Sequence, residues 1–347
     1  MALSARFLGS TGWCGALMVT LAGVQPAAAV TIDAVFSSSI TSDPNAAAIE
    51  SAIDYAFGTI DSLYSNPGTV GIVFTEGSGS FVAETETAQV GFTYGQYTGQ
   101  LAAVAAAEPN NTVLTTAIAH LATGNKPGPG GFVEVTTADA RVALGTSVSG
   151  CFTSAGAFVS SCGQVYDGVI TLNTGLGLNY GTSAVGGEYS AIASIEHEID
   201  EILGGGGTGS MLNNIPCGGT KAAYPDVGVL DLYRYASPGV PSFSSCNGTT
   251  AYLSVDGGST PIVAFNDNPG SDLGDFLPNG YVQSAFASTG TVPGYTPATP
   301  EFAMMESIGY DNAVPEPASL ALLGFGLAGL LGVRSRRRAA IAVSEKV

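Results

Sequence analysis

His197-Glu198-Ile199-Asp200-Glu201-Ile202-Leu203-Gly204 is the stretch on which the reading of this fold turns. On an α-helix, residues four apart share one face, so His197 and Glu201 point the same way while Glu198 stands about 100° round the cylinder. A divalent cation could take the two outer side chains and leave the middle carboxylate beside a bound water. Charge gives an independent argument. Glu196, Glu198, Asp200 and Glu201 crowd together, and no Lys or Arg follows until Lys221. The pair Glu196 and Asp200 is like-charged at i,i+4, which destabilises a helix by about 0.2–0.5 kcal/mol. Either solvent or a cation relieves these acids.

Around this helix the chain alternates regular elements. Residues 30–36 alternate like a strand, and residues 45–63 place Ala, Ile and Phe at helical spacing after the turn signal Ser42-Asp43-Pro44. Residues 70–74, 131–135 and 168–172 read as strands; residues 99–107, 112–122 and 189–203 read as helices. The last of these is stopped by Gly204-Gly205-Gly206-Gly207. Beyond it the chain is rich in Gly, Pro, Ser and Asn, with short strand-like pieces such as residues 251–255. The expectation is an α+β fold: a mixed sheet with helices and the His197 helix at a cleft, then an irregular smaller lobe. The lobes are expected at 30–204 and 205–313.

The spacing follows the logic of H-E-x-x-H, in which two outer histidines bind zinc and the central Glu is general base. Here the fifth letter is Glu201, and carboxylate oxygen is an accepted zinc ligand. The run His197-Glu198-x-x-Glu201-x-x-Gly204 is similar to the H-E-x-x-H-x-x-G start of the metzincin metalloproteases, including the glycine at which their helix turns away. The metzincin third histidine would fall at Gly207, and no histidine follows. Asp231-Leu232-Tyr233-Arg234-Tyr235-Ala236, residues 251–258, Gly274-Asp275-Phe276 and Ser307-Ile308-Gly309-Tyr310-Asp311 resemble a metalloprotease-like family found among PEP-CTERM proteins, a likeness covering residues 188–311. It implies a zincin-like fold and a zinc-dependent endopeptidase acting on protein or peptide, with Glu198 as base for a water that attacks the peptide bond.

A third ligand must come from elsewhere. Asp231 or Asp226 is expected, Asp231 first, because an acid after the glycine turn can return to the helix face. Its other reading is a turn residue or a partner of Arg234. Tyr233 or Tyr235 could polarise a substrate carbonyl, or simply pack in the core. Met304 and Met305 lie near the expected apolar floor beneath a metzincin metal, where ordinary core methionine is the alternative. His120 closes a helix, where an imidazolium suits the dipole. The oxygen-rich run 266–275 is a candidate Ca²⁺ loop without EF-hand spacing, or a solvated loop.

The ends describe traffic. Arg6, an apolar run and Ala27-Ala28-Ala29 give the order of a secretory signal peptide over residues 1–29. Val314-Pro315-Glu316-Pro317, an apolar run from Ala318 to Val333, and Arg334-Ser335-Arg336-Arg337-Arg338 resemble the PEP-CTERM sorting signal of Gram-negative bacteria over residues 314–338, leaving a tail at 339–347. That resemblance implies transient membrane insertion, cutting by an exosortase-type sorting protease, and an exported protein at the cell surface or outside. The alternative is a permanent single-span anchor, although the run is shorter than the ~20 residues of an ordinary span.

The body carries four cations, Lys126, Arg141, Lys221 and Arg234, against 26 of the 28 acidic residues of the chain, a formal charge of −22. Nucleic acid is therefore excluded as a partner and cations are favoured. No phosphate-binding glycine motif is set between a strand and a helix. Removing the leader leaves Cys151, Cys162, Cys217 and Cys246 in an oxidising setting. Four cysteines allow three connectivities, of which the sequential one closes the shortest loops. The rival to the enzyme is a non-catalytic surface or matrix protein of the same fold that binds Ca²⁺ or polysaccharide.

Overall fold

A computed structural model describes residues 30–313; the leader and the sorting segment lie outside the described residues. The main sheet has the order β1-β2-β6-β3, formed by Val30–Phe36, Gly68–Glu76, Tyr166–Leu172 and Ala83–Thr87. β1, β2 and β6 run parallel, and β3 pairs antiparallel with β6 at the edge. A parallel neighbour demands a crossover, and the chain between β1 and β2 supplies it with the short α1 (Ser38–Thr41) and the long α2 (Ala46–Leu63). Ile49, Ala52, Ile53, Ala56, Ile60 and Leu63 make the buried stripe of α2 at helical spacing. β2 is buried from Val70 to Phe74, as a central strand covered on both faces must be, while β3 alternates half-buried and exposed.

A second sheet pairs β4 (Gln89–Phe92) with β5 (Val133–Thr136) and β5 with β9 (Val227–Gly228). Between β4 and β5 lie α3 (Tyr94–Ala107), opened by a Thr93 and Gln96 capping box, and α4 (Thr112–Ala119), capped by Asn111. After β5 comes α5 (Thr137–Val142). The short strands β7 (Leu178–Asn179) and β8 (Tyr189–Ser190) lead into α6 (Ala191–Ile202), which packs on α2, β3 and β6. Beyond α6, β10 (Arg234–Ser237), β11 (Val240–Pro241), β12 (Tyr252–Leu253) and β13 (Val263–Ala264) form a small antiparallel sheet, and α7 (Pro300–Ser307) closes the body. One hydrophobic core runs through both halves, joining Ile195 and Ile199 to Leu230, Tyr233, Phe302 and Met304. Gly204 thus marks a change from regular to irregular chain within continuous packing.

The expected strands and the α2, α3, α4 and α6 helices are present with shifted ends. α6 begins at Ala191 because the Ser190 side chain accepts from Ala193 N at 3.1 Å, and Tyr189 and Ser190 pair in β8 instead. Cys151 is bonded to Cys162 and Cys217 to Cys246, the sequential pairing. Among the described residues no helix is long and apolar enough to cross a membrane.

Asp139 on α5 is wholly buried, and neither carboxyl oxygen has a hydrogen-bond partner. Burial drives its pKa well above the usual carboxylate value, which favours the protonated form in the native state. A carboxyl raised in the folded state stabilises fully below its unfolded pKa of about 3.9 and loses that contribution as pH rises toward the folded value. Asp139→Asn has no proton to lose. Its stability relative to wild type, read from denaturant midpoints, is expected to improve as pH rises above the unfolded carboxyl value of about 3.9. A pH-independent difference would show that Asp139 does not titrate on unfolding.

Candidate metal centre

The α6 helix presents Ile195, Ile199 and Ile202 to the core, which turns His197, Glu198 and Glu201 toward a cleft of about 1030 Å³. Its exit is a Schellman turn: Gly205 N donates to Asp200 O at 2.7 Å and Gly204 N to Glu201 O at 3.0 Å, with Gly204 at φ 97°. The glycines that follow are bare because other chain segments crowd them. A Cβ on Gly205 would lie 2.7 Å from Met304 Cε. On Gly206 it would lie 2.0 Å from Gln283 Nε2, and on Gly207 2.6 Å from Glu201 Oε1 and from Asp272 Cγ. The loop carrying Asp272 and Asp275 can therefore close directly on the end of the helix.

His197 Nδ1 lies 2.9 Å from the carbonyl oxygen of Val282. A carbonyl only accepts, so Nδ1 carries a proton, and in the neutral imidazole, the form that binds a metal, the lone pair sits on Nε2. That Nε2 lies 3.7 Å from Glu201 Oε1 and 3.6 Å from Asp275 Oδ2, and the ligand atoms of the three residues all fall within 4.8 Å of one another. Donors held about 2.0–2.2 Å from one tetrahedral ion are about 3.4 Å apart, so this group could hold a metal with small adjustments. One imidazole nitrogen with two carboxylate oxygens is a donor set that suits zinc. Glu201 Oε1 also accepts from Gly207 N at 3.0 Å, which fixes the carboxylate.

Burial raises the pKa of Glu198, Glu201 and Asp275. For His197 burial acts downward, but Asp275, Glu201 and Glu198 outweigh it and hold the imidazole well above its usual value. Groups packed in this way take up either protons or a metal cation.

Asp275 is the residue that sequence reading placed elsewhere, in a candidate Ca²⁺ loop. In that loop the side-chain amide of Asn266 donates to the Asn268 and Asp272 carbonyls, and Asn268 Oδ1 accepts from Gly270 N, so the turn closes on its own backbone. Asp272 and Asp275 line the cleft instead. Arg234 braces the loop: Nη1 donates to Leu273 O at 2.6 Å and Nη2 to Asn266 O at 3.3 Å, with the guanidinium 4.6 Å from the Phe265 ring centre.

Asp231 and Asp226, the expected third ligands, do not join the group. Asp231 Oδ1 accepts from the Ser210 hydroxyl at 2.6 Å, and its Oδ2 accepts from Met211 N and Gly228 N at 2.9 and 2.8 Å. Both its oxygens are engaged in folding the chain after the glycine turn, and Arg234 bonds to carbonyls in place of it. Asp226 Oδ1 accepts from Phe132 N at 2.8 Å and aligns β5 with β9. Tyr233 is buried with its hydroxyl donating to Ser307 O at 2.8 Å, away from the cleft. Met304 and Met305 are core residues of α7 that also touch the glycine turn. His120 is exposed and bonds locally to Thr116 O.

Residues 313–338 match the PEP-CTERM protein-sorting motif. The chain is thus an exported protein whose C-terminal signal is of the kind recognised by exosortase, processed at that end and bound for the Gram-negative cell surface. No curated protein and no solved structure matches the chain.

Two substitutions separate the competing third ligands. Asp275→Asn is expected to weaken zinc binding by more than the ~10–100-fold typical of losing a supporting partner. Asp231→Asn should retain the metal but lower stability by about 1–3 kcal/mol, because buried donors lose their acceptor. Zinc titration and denaturation of both variants check this, and the opposite pattern would restore Asp231 as the ligand.

Proposed function

We propose that this protein is an exported zinc-dependent endopeptidase with a zincin-like fold, its cation held by His197, Glu201 and Asp275. The observation that carries the reading is the approach of three donors from α6 and a distant loop on the floor of one open cleft, with Glu198 beside them. The arrangement of sheet and helix supports it. β3 ends the main sheet, and its Glu84, Thr85 and Glu86 form part of the cleft wall. Thr85 Oγ1 donates to Glu198 O at 3.2 Å, tying that strand to the metal helix. An edge strand has an unpaired row of backbone donors and acceptors, which can hold an extended polypeptide by strand addition.

Bound zinc would polarise the scissile carbonyl and make water a stronger acid. Glu198 is the group placed to receive the proton. It follows His197 directly, lines the same cleft, and its raised pKa brings it toward the neutral range where proton exchange is efficient. As the water oxygen bonds to the carbonyl carbon, Glu198 takes the water proton. It then hands that proton to the amide nitrogen as the carbon–nitrogen bond breaks, and transfer of the second water proton from the new acid to the amine leaves a carboxylate and an ammonium group. Tyr233 takes no part, since its hydroxyl is spent on Ser307.

The full chain, purified and loaded, should contain one zinc per molecule and cleave a denatured protein. Glu198→Gln is expected to keep the zinc and lose about 10²–10⁴-fold in kcat/KM, the usual worth of a general base. Cleavage at the wild-type rate would remove Glu198 from the chemistry. Stoichiometric zinc with no cleavage of any polypeptide would leave a surface protein with a metal site.

A further inference from the structure

Gln283 is fully buried, and its amide lies against the candidate ligands. Its Nε2 is 3.1 Å from His197 Nε2 and 2.9 Å from Asp275 Oδ1. The other end of the amide, Oε1, is buried with no hydrogen-bond partner. The residue is fixed from its backbone: Gln283 N donates to Glu301 Oε1 at 3.0 Å and its carbonyl accepts from Phe276 N at 2.8 Å. Its neighbour Val282 supplies the carbonyl that sets the His197 tautomer. Opposite the amide stands Gly206, where any side chain would collide with Gln283. Two consecutive residues and a glycine are thus committed to bringing one amide to the metal group.

An amide serving only as structural glue satisfies both ends when it is buried. Here one end meets two ligand atoms and the other meets nothing. Turning the amide over exchanges its donor and acceptor ends. Where His197 Nε2 and Asp275 Oδ1 both act as acceptors, the NH₂ end facing them is the favourable orientation. A cation among those atoms reverses the preference, because it repels N–H and attracts a carbonyl oxygen.

We infer that Gln283 is a further protein ligand of the cation, through Oε1. This rests on the zinc reading above and adds to it a neutral donor from the segment following Asp275. The site would then offer one imidazole, two carboxylates and one amide oxygen to the ion, with the cleft side left for a water or substrate oxygen. An amide oxygen adds no negative charge, so it holds the ion in place without further weakening its pull on a substrate carbonyl.

Co²⁺ titration of the full chain, followed by its visible absorption bands, tests this with a readout independent of cleavage. Wild type is expected to bind one Co²⁺. Gln283→Leu should bind about 10–100-fold more weakly, with altered band positions and intensity. Gln283→Glu, which has the same shape and keeps oxygen donors, should bind at least as tightly as wild type. The Glu variant also decides the matter if the Leu variant does not fold. Were Gln283 only donating N–H to Asp275, a carboxylate there would repel Asp275 and weaken binding, which would overturn the inference. An unchanged spectrum and affinity in Gln283→Leu would do the same. Absence of Co²⁺ binding by wild type would instead bring down the zinc reading on which this one stands.

Discussion

Three carboxyl groups, those of Glu198, Glu201 and Asp275, are buried around one imidazole, and no Lys or Arg of the body is free to balance them. Arg141 is bound to Asp167 at 2.5 Å, Arg234 is spent on two loop carbonyls, and Lys221 donates to the Gly124 and Lys126 carbonyls. Lys126 is exposed and apart from the cleft lining. Buried charge without a partner is costly, so the group must hold either protons or a cation. A divalent ion, as proposed above, would neutralise this group in a strongly acidic protein. Under the zinc proposal, two anionic ligands would reduce the pull of the ion on a substrate more than neutral histidines would.

The architecture around this charge serves to bring chain segments close. α6 is anchored by its isoleucine face in a core shared with α2 and the main sheet, so its polar face has one orientation. The Schellman turn and the bare backbone of Gly205, Gly206 and Gly207 then let Met304, Gln283 and Asp272 approach to distances that a side chain would forbid. Gly207 illustrates the trade. A side chain there could have been a ligand from the same turn; its absence makes room for a loop from about seventy residues later, braced by Arg234, that brings an acid instead.

Much of this was legible in the sequence because it is local. Helical spacing alone places His197 and Glu201 side by side, and the apolar stripe of residues 45–63 specifies α2, whereas the sequential disulfides were one of three open pairings, the one with the shortest loops. The errors are long-range. An acid after the glycine turn was expected to return to α6, yet Asp231 is consumed by Ser210, Met211 and Gly228, contacts that no spacing rule reveals. Asp275 stood in view within an oxygen-rich run that read as a solvated loop or a calcium site, because Asn and Asp are also what close tight turns. The remaining clue was charge: an acidic loop with no local cation facing an acidic helix with none either. Tyr233 shows the converse, a polar group whose hydroxyl meets a carbonyl in the core and whose reach to the cleft could not be judged from its neighbours in sequence.

Anomalous scattering from crystals of the zinc-loaded protein, recorded on both sides of the zinc absorption edge, tests the central claim most directly. The account predicts a single strong peak about 2.0–2.2 Å from His197 Nε2, Glu201 Oε1 and Asp275 Oδ2. A map without a peak there, or with zinc bound at Asp231 or elsewhere on the surface, would contradict it.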